Sequence, residues 1–467
     1  MNERVKPNLP GRTAAVIAEI ERRIAARSLV TGARLPSVRG LAGTMGVSPS
    51  TVVEAYERLV ASGIIHSRPG SGFFVSGAPL PLQLSEIGPR LDREVDPLWI
   101  SRQALGEGAD LLKPGCGWLP PSFMPVEAIR RALRGLGREE DSALTDYDTP
   151  LGLAGLRHLL SRRLLERGVP ATPEQVVLTE SGTQAIDLVC RFLIEPGDTV
   201  LLDDPCYFNF HALMRAHRAR TVGVPMTPEG PDLAAFADIV ARERPRLYIT
   251  TSAIHNPTGV SMSPIVAHRL LKLAAEHGLT IIEDDIFGDL ETVPGPRLAA
   301  IDGLSRVVQV GSFSKTLSAS VRCGYVALKP EWVEALTDLK IATNFTVGRL
   351  SAELVHALLK DGSYRRHLDG LKVRLGRAMD EVEARVRTLG LVPFIRPSAG
   401  IFLWCRLPDG LDAAEIARTC LKDGIVLAPG AAFSPSGQAS AYLRFNVAQS
   451  ADPAIWESLE KAIAAAR

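Results

Sequence analysis

A single lysine, Lys315, stands among serines and a phenylalanine in the stretch 310–316, directly after a β-rich run at 306–310. A lysine amine is the side chain that forms a Schiff base with an aldehyde cofactor. The chemistry predicted for Lys315 is therefore covalent attachment of such a cofactor. A segment nearly 250 residues earlier has a different character, because it has the pattern of a DNA-binding domain.

Other residues with suitable chemistry follow successive predicted strands. Small residues at a predicted helix start can expose backbone N–H groups to a phosphate, and an arginine can bind a phosphate through two hydrogen bonds. An aromatic ring can stack on a cofactor, an amide can donate to a phenolate oxygen, and a carboxylate can pair with a protonated ring nitrogen. The small residues at the helix start are Ser181, Gly182 and Thr183, and Arg322 with Ser312 could also bind the phosphate. The ring is Tyr207, the amide is Asn256 and the carboxylate is Asp284.

The elements that must position these residues alternate between helical stretches and short β-branched strands. The predicted strands are 176–178, 199–202, 247–250, 280–282 and 307–308. This alternation predicts an α/β fold with a largely parallel sheet covered by helices. Ligand sites in such sheets gather at the carboxyl ends of the strands, where the residues above lie.

The order and spacing of these residues resemble the aspartate aminotransferase superfamily, whose fold is the fold type I of pyridoxal phosphate enzymes. The matching motifs are Tyr147-x-x-Pro150-x-Gly152, Leu156-Arg157, 181–183, 256–259 and Ser312-x-x-Lys315. The resemblance implies a large parallel-sheet domain followed by a small C-terminal α/β domain. It also implies pyridoxal 5'-phosphate as the cofactor.

The resemblance further implies a role for each residue. Lys315 would be the catalytic residue that forms the internal aldimine, and Asp284 would keep the pyridinium nitrogen protonated. Tyr207 would stack on the ring and Asn256 would bond its phenolic oxygen. The phosphate would be bound by Ser181, Gly182, Thr183, Ser312 and Arg322.

Two further positions concern assembly and ligand binding. Tyr147 matches a tyrosine that reaches the phosphate of the neighbouring subunit, which implies a homodimer with shared sites. Arg444 matches the arginine that binds the α-carboxylate of amino acids; a surface arginine at a strand edge is the alternative. One position departs from the family pattern, because Phe287 stands where a tyrosine usually donates to the phenolic oxygen. This departure is expected to weaken transamination and to leave binding possible.

The segment 12–76 predicts a winged helix. Apolar spacing predicts a first helix containing Val16 and Ile20, and Ser37 and Ser48 are suited to cap a second and a third helix. Val52, Val53, Tyr56, Leu59 and Val60 are predicted to face inward on the third helix. Two strands with a glycine-rich tip follow at 64–66 and 73–75. A helical oligomerisation module with a β-hairpin is the alternative.

This segment resembles the GntR family of winged-helix repressors through 35–39, 46–48, Thr51-Val52, Ala55-Tyr56 and 68–75. The resemblance implies binding of double-stranded promoter DNA, with the second of the two central helices in the major groove. The residues implied to contact DNA are Arg39, Ser48, Ser50, Thr51, Arg68 and Gly70. Pro49 departs from the family, which often has a basic residue there.

The charge distribution agrees with this division. Residues 1–75 carry ten Lys or Arg and five Asp or Glu, although the whole chain has a net charge of only +1. No run of about 18 apolar residues predicts a membrane span, and the N-terminus has no apolar signal core, so a cytoplasmic protein is expected. The six cysteines form no CxxC pair, so neither a metal site nor a disulfide framework is predicted.

A GntR-type segment followed by an aminotransferase-like segment resembles the MocR subfamily of regulators. The predicted domains are a winged helix at 1–78, a linker at 79–110 and a pyridoxal phosphate domain at 111–467. The expected function is transcription regulation that senses the cofactor, an amino acid or an amine at Lys315. The alternatives are a metabolic aminotransferase that carries a DNA-binding module and a DNA-binding protein whose body is a scaffold without cofactor.

Overall fold

The computed structural model describes residues 12–25, 28–29, 32–68, 71–76, 111–138 and 141–466. The chain divides into two compact units, Met1–Asp92 and Arg93–Arg467, called the head and the body below. Residues 77–110 lie outside the described residues, so the predicted linker 79–110 and its boundaries stay predictions. The predicted wing residue Gly70 also lies outside them.

Three helices and a hairpin form the head. They are α1 (Arg12–Ala25), α2 (Val38–Met45), α3 (Pro49–Ala61), β1 (Ile65–Arg68) and β2 (Gly72–Val75). The Ser37 hydroxyl caps α2 by accepting a hydrogen bond from the Gly40 amide at 3.1 Å. The Ser48 hydroxyl caps α3 by accepting one from the Thr51 amide at 3.2 Å. Both predicted caps are confirmed. The left-handed conformation of Gly46 (φ 65°) ends α2 and allows the tight turn into α3.

The core of the head lies between α1, α2, α3 and the hairpin. Val52, Tyr56 and Leu59 of α3 are buried in it, and the Tyr56 hydroxyl donates to the Pro36 carbonyl at 2.9 Å. The prediction that Val53 and Val60 also face inward is wrong. Their side chains are 39% and 37% exposed, because each follows a buried residue and a helix turns by about 100° per residue.

The wing is a two-stranded antiparallel hairpin. Its register pairs Ile65 with Val75 and Arg68 with Gly72. Ile65 and Val75 are buried against the helices, whereas Arg68 at the far end is exposed. The predicted hairpin is confirmed, and it presents Arg68 to solvent beside the tip.

The strands of the body form an eight-stranded sheet and a four-stranded sheet. The order in the large sheet is β3-β10-β9-β8-β7-β4-β5-β6 and in the small sheet β11-β12-β14-β13. The strands of the body are β3 (Val176–Thr179), β4 (Thr199–Asp204), β5 (Arg220–Thr227), β6 (Gly230–Pro231), β7 (Leu247–Thr250), β8 (Thr280–Asp284), β9 (Val307–Ser312), β10 (Gly324–Ala327), β11 (Val392–Pro393), β12 (Phe402–Arg406), β13 (Ala428–Pro429) and β14 (Tyr442–Asn446).

Helices cover both sheets. The described helices of the body are α4 (Val126–Leu136), α5 (Asp141–Thr145), α6 (Ala154–Glu166), α7 (Gly182–Leu193), α8 (Phe208–Ala216), α9 (Leu233–Glu243), α10 (Pro264–Glu276), α11 (Leu298–Asp302), α12 (Pro330–Asn344), α13 (Arg349–Lys360), α14 (Ser363–Thr388), α15 (Ala413–Lys422) and α16 (Pro453–Ala466). Single 3-10 turns lie at Pro121–Phe123, Pro173–Gln175, Gly288–Leu290, Gly430–Ala432 and Val447–Gln449.

The large sheet is mixed with a parallel centre. Strands β5, β4, β7, β8 and β9 run parallel to one another, and nearly every residue of β4, β7, β8 and β9 is buried. Burial on both faces explains their continuous apolar runs. The predicted largely parallel sheet is confirmed. Three strands of this sheet were not predicted: β5, β6 and β10, of which β10 runs antiparallel between β3 and β9.

Three absences concern the described residues alone. No helix among them combines the length and apolar character needed to cross a bilayer. No group of three or more His, Cys, Asp or Glu side chains there has the arrangement of a metal site. The six cysteines lie in the described part, and each is buried and free.

A matched pair of substitutions in α3 tests the packing of the head. Val52→Ala is expected to lower the free energy of unfolding of the head by about 2 kcal/mol, because it leaves a cavity in the core. Val53→Ala, at an exposed position, is expected to cost less than about 0.5 kcal/mol. Hydrogen exchange of the α3 amides in the full chain measures both values. Equal losses for the two variants would contradict the burial described here.

Candidate functional sites

The amine of Lys315 lies at the carboxyl edge of the large sheet, three residues after β9. Its Nζ donates to the Gly117 carbonyl at 2.7 Å. Burial and, after it, repulsion by the guanidinium of Arg444 lower the pKa of Lys315 to about 8. The amine therefore loses its proton more readily than an exposed lysine, and the neutral amine is the form that attacks an aldehyde.

Asp284 ends β8 at the same edge and is 4% exposed. Burial and repulsion by Asp285 raise the pKa of Asp284 to about 7. Its Oδ1 is buried and accepts no hydrogen bond from the described residues. A protonated ring nitrogen would satisfy this oxygen, so Asp284 fits the role that the sequence assigns to it.

The neighbouring carboxylate, Asp285, is engaged within the protein. Its Oδ2 lies 3.1 Å from Arg167 Nη1, and its Oδ1 lies 2.8 Å from Arg297 Nε. Successive residues of an extended chain point to opposite sides, so the two aspartates occupy different surroundings. The structure thus distinguishes a structural carboxylate from one that is left to a ligand.

A set of backbone N–H groups and hydroxyls can bind a phosphate beside these residues. Helix α7 begins at Gly182, and the Ser181 hydroxyl caps it by accepting a hydrogen bond from the Gln184 amide at 3.1 Å. A Cβ on Gly182 would lie 3.6 Å from Cβ of Ser312, so Ser312 is adjacent to this helix start. The amides of the first turn have no partner within the helix, and they favour an anion.

Glycine is needed where β10 crosses this helix start. A Cβ on Gly324 would lie 2.7 Å from the carbonyl carbon of Ser181. The carbonyl of Cys323 accepts the Ser312 hydroxyl at 3.3 Å. Arg322 comes directly before them, is exposed, and contributes to the lowered pKa of Lys315 by repulsion. Arg322 therefore stands on the side from which a phosphate would be bound.

Arg444 is 1% exposed, which excludes the alternative of a surface arginine. Its Nη1 donates to Oδ1 of Asn256 and its Nη2 to the Gly115 carbonyl, both at 2.7 Å. Its guanidinium lies 4.1 Å from the ring centre of Phe402 and 4.7 Å from that of Phe433. Burial lowers the pKa of Arg444 to about 10. Its Nε is buried and has no hydrogen-bond acceptor among the described residues.

Asn256 and Tyr207 belong to the same group of residues. Asn256 uses its amide oxygen for Arg444, and its amide nitrogen donates to none of the described residues. Tyr207 precedes α8, and burial raises the pKa of its hydroxyl. The positive charge of Arg444 lowers this pKa, and the negative charge of Asp284 raises it. A single chain therefore brings together Lys315, Asp284, Tyr207, Asn256 and Arg444.

Two of the predicted positions lie outside this group. Tyr147 is 77% exposed, and its ring packs edge-on against Phe345 with ring centres 4.9 Å apart. Phe287 is 1% exposed and packs edge-on against Phe402 with ring centres 5.5 Å apart. The position that usually supplies a hydroxyl is therefore filled by an apolar ring.

Sequence reasoning missed several residues of the site. Gly115 and Gly117 accept hydrogen bonds from Arg444 and Lys315 through backbone carbonyls, and Phe402 and Phe433 stack on Arg444. The run Pro114-Gly-Cys-Gly117 is a turn signal that marks unusual backbone. Nothing in the sequence distinguishes Phe402 or Phe433 from ordinary core residues.

The start of α3 carries the predicted DNA-contacting hydroxyls of the head. Ser48 Oγ lies 2.8 Å from the hydroxyl oxygens of both Ser50 and Thr51. Arg39 is exposed on α2, and the exposed Arg68 of the wing lies 4.8 Å from the ring centre of Phe74. A hydroxyl cluster at a helix start and exposed arginines on neighbouring elements suit contacts to phosphates and base edges.

Two family models match the chain. The model "Aminotransferase class I and II" matches residues 120–461, and the model "Bacterial regulatory proteins, gntR family" matches residues 12–75. A 2-aminoadipate transaminase of Thermus thermophilus is 32% identical over 74% of this chain and 92% of its own. The uncharacterized HTH-type transcriptional regulator YdfD of Bacillus subtilis is 29% identical over 92% of this chain and 90% of its own.

A solved structure is similar to the body. It is LysN, the alpha-aminoadipate aminotransferase of Thermus thermophilus, complexed with N-(5'-phosphopyridoxyl)-L-leucine. It is 29% identical with a TM-score of 0.70, over 76% of this chain and 92% of its own. The resemblance of the body to aminotransferases therefore extends from sequence to fold.

The depressed pKa of Lys315 is open to direct titration. In the cofactor-free protein, reductive methylation of Lys315 by formaldehyde is expected to rise with a midpoint near pH 8, because only the neutral amine reacts. The urea-unfolded chain is the control, and there the same lysine should react with a midpoint near its ordinary value of 10.5. Peptide mass spectrometry measures both profiles. Coincident profiles would show that the fold does not favour the neutral amine.

Proposed function

This chain belongs to the aminotransferase class I and II family and carries a gntR-family regulatory domain, and we propose that it is a DNA-binding transcription regulator of MocR type. The observation that carries the proposal is a buried lysine amine of lowered pKa near a buried carboxylate with one unsatisfied oxygen, in a chain that also carries a winged helix. The head binds promoter DNA, and the body senses a small molecule. Because its target is a promoter, we place its action in the cytoplasm.

The body holds pyridoxal phosphate in the proposal, because the unsatisfied groups fit this cofactor. Asp284 holds the proton on the ring nitrogen, and Tyr207 contacts the ring face. Asn256 donates its free amide nitrogen to the phenolic oxygen, and the first turn of α7 with Ser312 and Arg322 binds the phosphate. When bound, the cofactor supplies an aldehyde that reacts reversibly with amines.

The proposed effector is an amino acid or another amine. Lys315 would hold the cofactor, and a free amine would compete with the Lys315 amine for the cofactor's aldehyde. Arg444 is suited to bind the effector carboxylate, since it is buried and its Nε has no hydrogen-bond acceptor among the described residues. Effector binding controls transcription by favouring one of two arrangements of the heads, which requires different effector affinities in the two arrangements.

We further propose that the active form is a homodimer through the body. The ring of Tyr147 is largely exposed apart from its edge-on contact with Phe345, and the family pattern predicts that it reaches the phosphate of the partner. Two bodies then carry two heads, so repeated half-sites are expected in the promoter.

A second candidate function, metabolic transamination, is favoured by the identity of 32% to a 2-aminoadipate transaminase. The apolar side chain of Phe287 weighs against it. A tyrosine hydroxyl at this position would donate to the cofactor's phenolic oxygen, but phenylalanine has no hydroxyl.

The deciding experiment combines promoter binding with visible absorbance for wild type and Lys315→Ala. Wild type is expected to show the absorbance of lysine-bound cofactor and a promoter affinity or footprint that changes with the cofactor or with one amine of a panel. Lys315→Ala should show neither. Lys272→Ala, at an exposed lysine of α10, is the matched control and should behave as wild type.

Two other results of this experiment would contradict the proposed function. If the absorbance appears but promoter binding ignores every ligand, the sensor function fails and turnover with amino donors and keto acids becomes the next assay. If wild type binds no cofactor, the body is a scaffold and both functional proposals fail.

The two aspartates after β8 give a matched pair for the cofactor site. Asp284→Asn is expected to weaken cofactor binding at least about tenfold while the cofactor-free body melts almost as wild type, since the carboxylate makes no ion pair. Asp285→Asn is expected to destabilise the body by about 3 kcal/mol or more, because it leaves Arg167 and Arg297 without this partner. Absorbance titration and thermal denaturation separate the two effects. The reverse pattern would exchange the roles of the aspartates.

A further inference from the structure

A second cavity of the body lies away from the Lys315 site. It has a volume of about 610 Å³ and opens between α6, the end of α13 and the start of α14. Its charged lining consists of His158, Arg162, Arg163, His356, Lys360 and Arg365, with Glu166 as the acidic member. We call this cavity the basic cleft. None of the residues assigned above to the cofactor lies in it.

Three of its cations have no partner within the described part of the chain. Arg162, Lys360 and Arg365 are exposed and make no hydrogen bond or ion pair there. Elsewhere, surface arginines of the body often have a carboxylate at short range, as Arg191 has Asp187 at 2.8 Å and Arg242 has Asp238 at 2.6 Å. The basic cleft therefore concentrates positive charge that the fold itself does not neutralise.

The fourth cation, Arg163, is held by an ion pair and an aromatic ring. Its Nη2 lies 2.7 Å from Oδ1 of Asp289, and its guanidinium lies 5.3 Å from the ring centre of Tyr364. The Tyr364 hydroxyl donates to Asp289 and lies 2.5 Å from Oγ1 of Thr316. Thr316 adjoins Lys315 in sequence, so the inner wall of the cleft belongs to the same packed network as the reactive lysine.

Convergence of like charges in a partly enclosed space is unfavourable until an anion enters. Arginine binds phosphate oxygens through two parallel N–H bonds, and lysine adds a point charge. We propose that the basic cleft binds a small, multiply charged phosphorylated compound. Its volume falls within the range of about 300–1,000 Å³ of small-molecule sites, and a recessed cavity suits a compact ligand better than the regular rows of phosphate on duplex DNA.

Inorganic pyrophosphate is the probe, and cofactor-loaded full-length protein is the material, so that the cofactor occupies its own phosphate site. Equilibrium dialysis compares wild type with Arg162→Ala/Lys360→Ala/Arg365→Ala. The matched control is Arg269→Ala/Arg377→Ala/Arg385→Ala, which removes three exposed positive charges elsewhere on the body. Pyrophosphate should bind to wild type and to the control alike, and at least about tenfold more weakly to the cleft variant.

Three results would overturn the proposal. They are no saturable binding to wild type at millimolar pyrophosphate, equal weakening in both variants, and binding of random-sequence duplex DNA that depends on the cleft cations without any binding of pyrophosphate. Visible absorbance and melting temperature of each variant verify that cofactor loading and folding are intact.

Discussion

The body depends on a reactive amine whose pKa its interior lowers. Lys315 is surrounded by protein and faces the positive charge of Arg444, and both conditions favour the neutral amine. The Gly117 carbonyl accepts one N–H bond, so the neutral amine is not left without a partner. Lys315 lies at the carboxyl edge of a largely parallel sheet, where the strands end and their loops converge on a ligand site.

The three consecutive acidic residues at the end of β8 show how the fold keeps one carboxylate available. Glu283 accepts the amides of Leu298 and Ala299 at the start of α11, at 2.8 and 2.9 Å. Asp285 is held by two arginines. Of the three, Asp284 has the buried oxygen that neither a hydrogen bond nor an ion pair of the described residues satisfies. A buried polar atom of this kind is costly, and a ligand that donates to it removes the cost.

The sequence predicts much of this arrangement, because several chemically distinctive residues lie at or shortly after the ends of strands that apolar runs reveal. It cannot predict β10, since four small and apolar residues between two turns look like any core segment. It also cannot predict that the carbonyls of Gly115 and Gly117 serve Arg444 and Lys315, because any residue supplies a carbonyl. In the head, two consecutive valines at 52–53 do not show which of them is buried, because the packing of α3 against α1 and the hairpin determines the buried face.

Phe287 is linked to Arg444 through one shared aromatic neighbour. Its ring packs edge-on against Phe402, and the guanidinium of Arg444 lies 4.1 Å from the centre of the same ring. A tyrosine would bring a hydroxyl that must find a partner in this apolar contact, whereas phenylalanine adds only packing. Phenylalanine at position 287 therefore supplies no hydroxyl to the site and leaves intact the aromatic contact of Phe402 with Arg444.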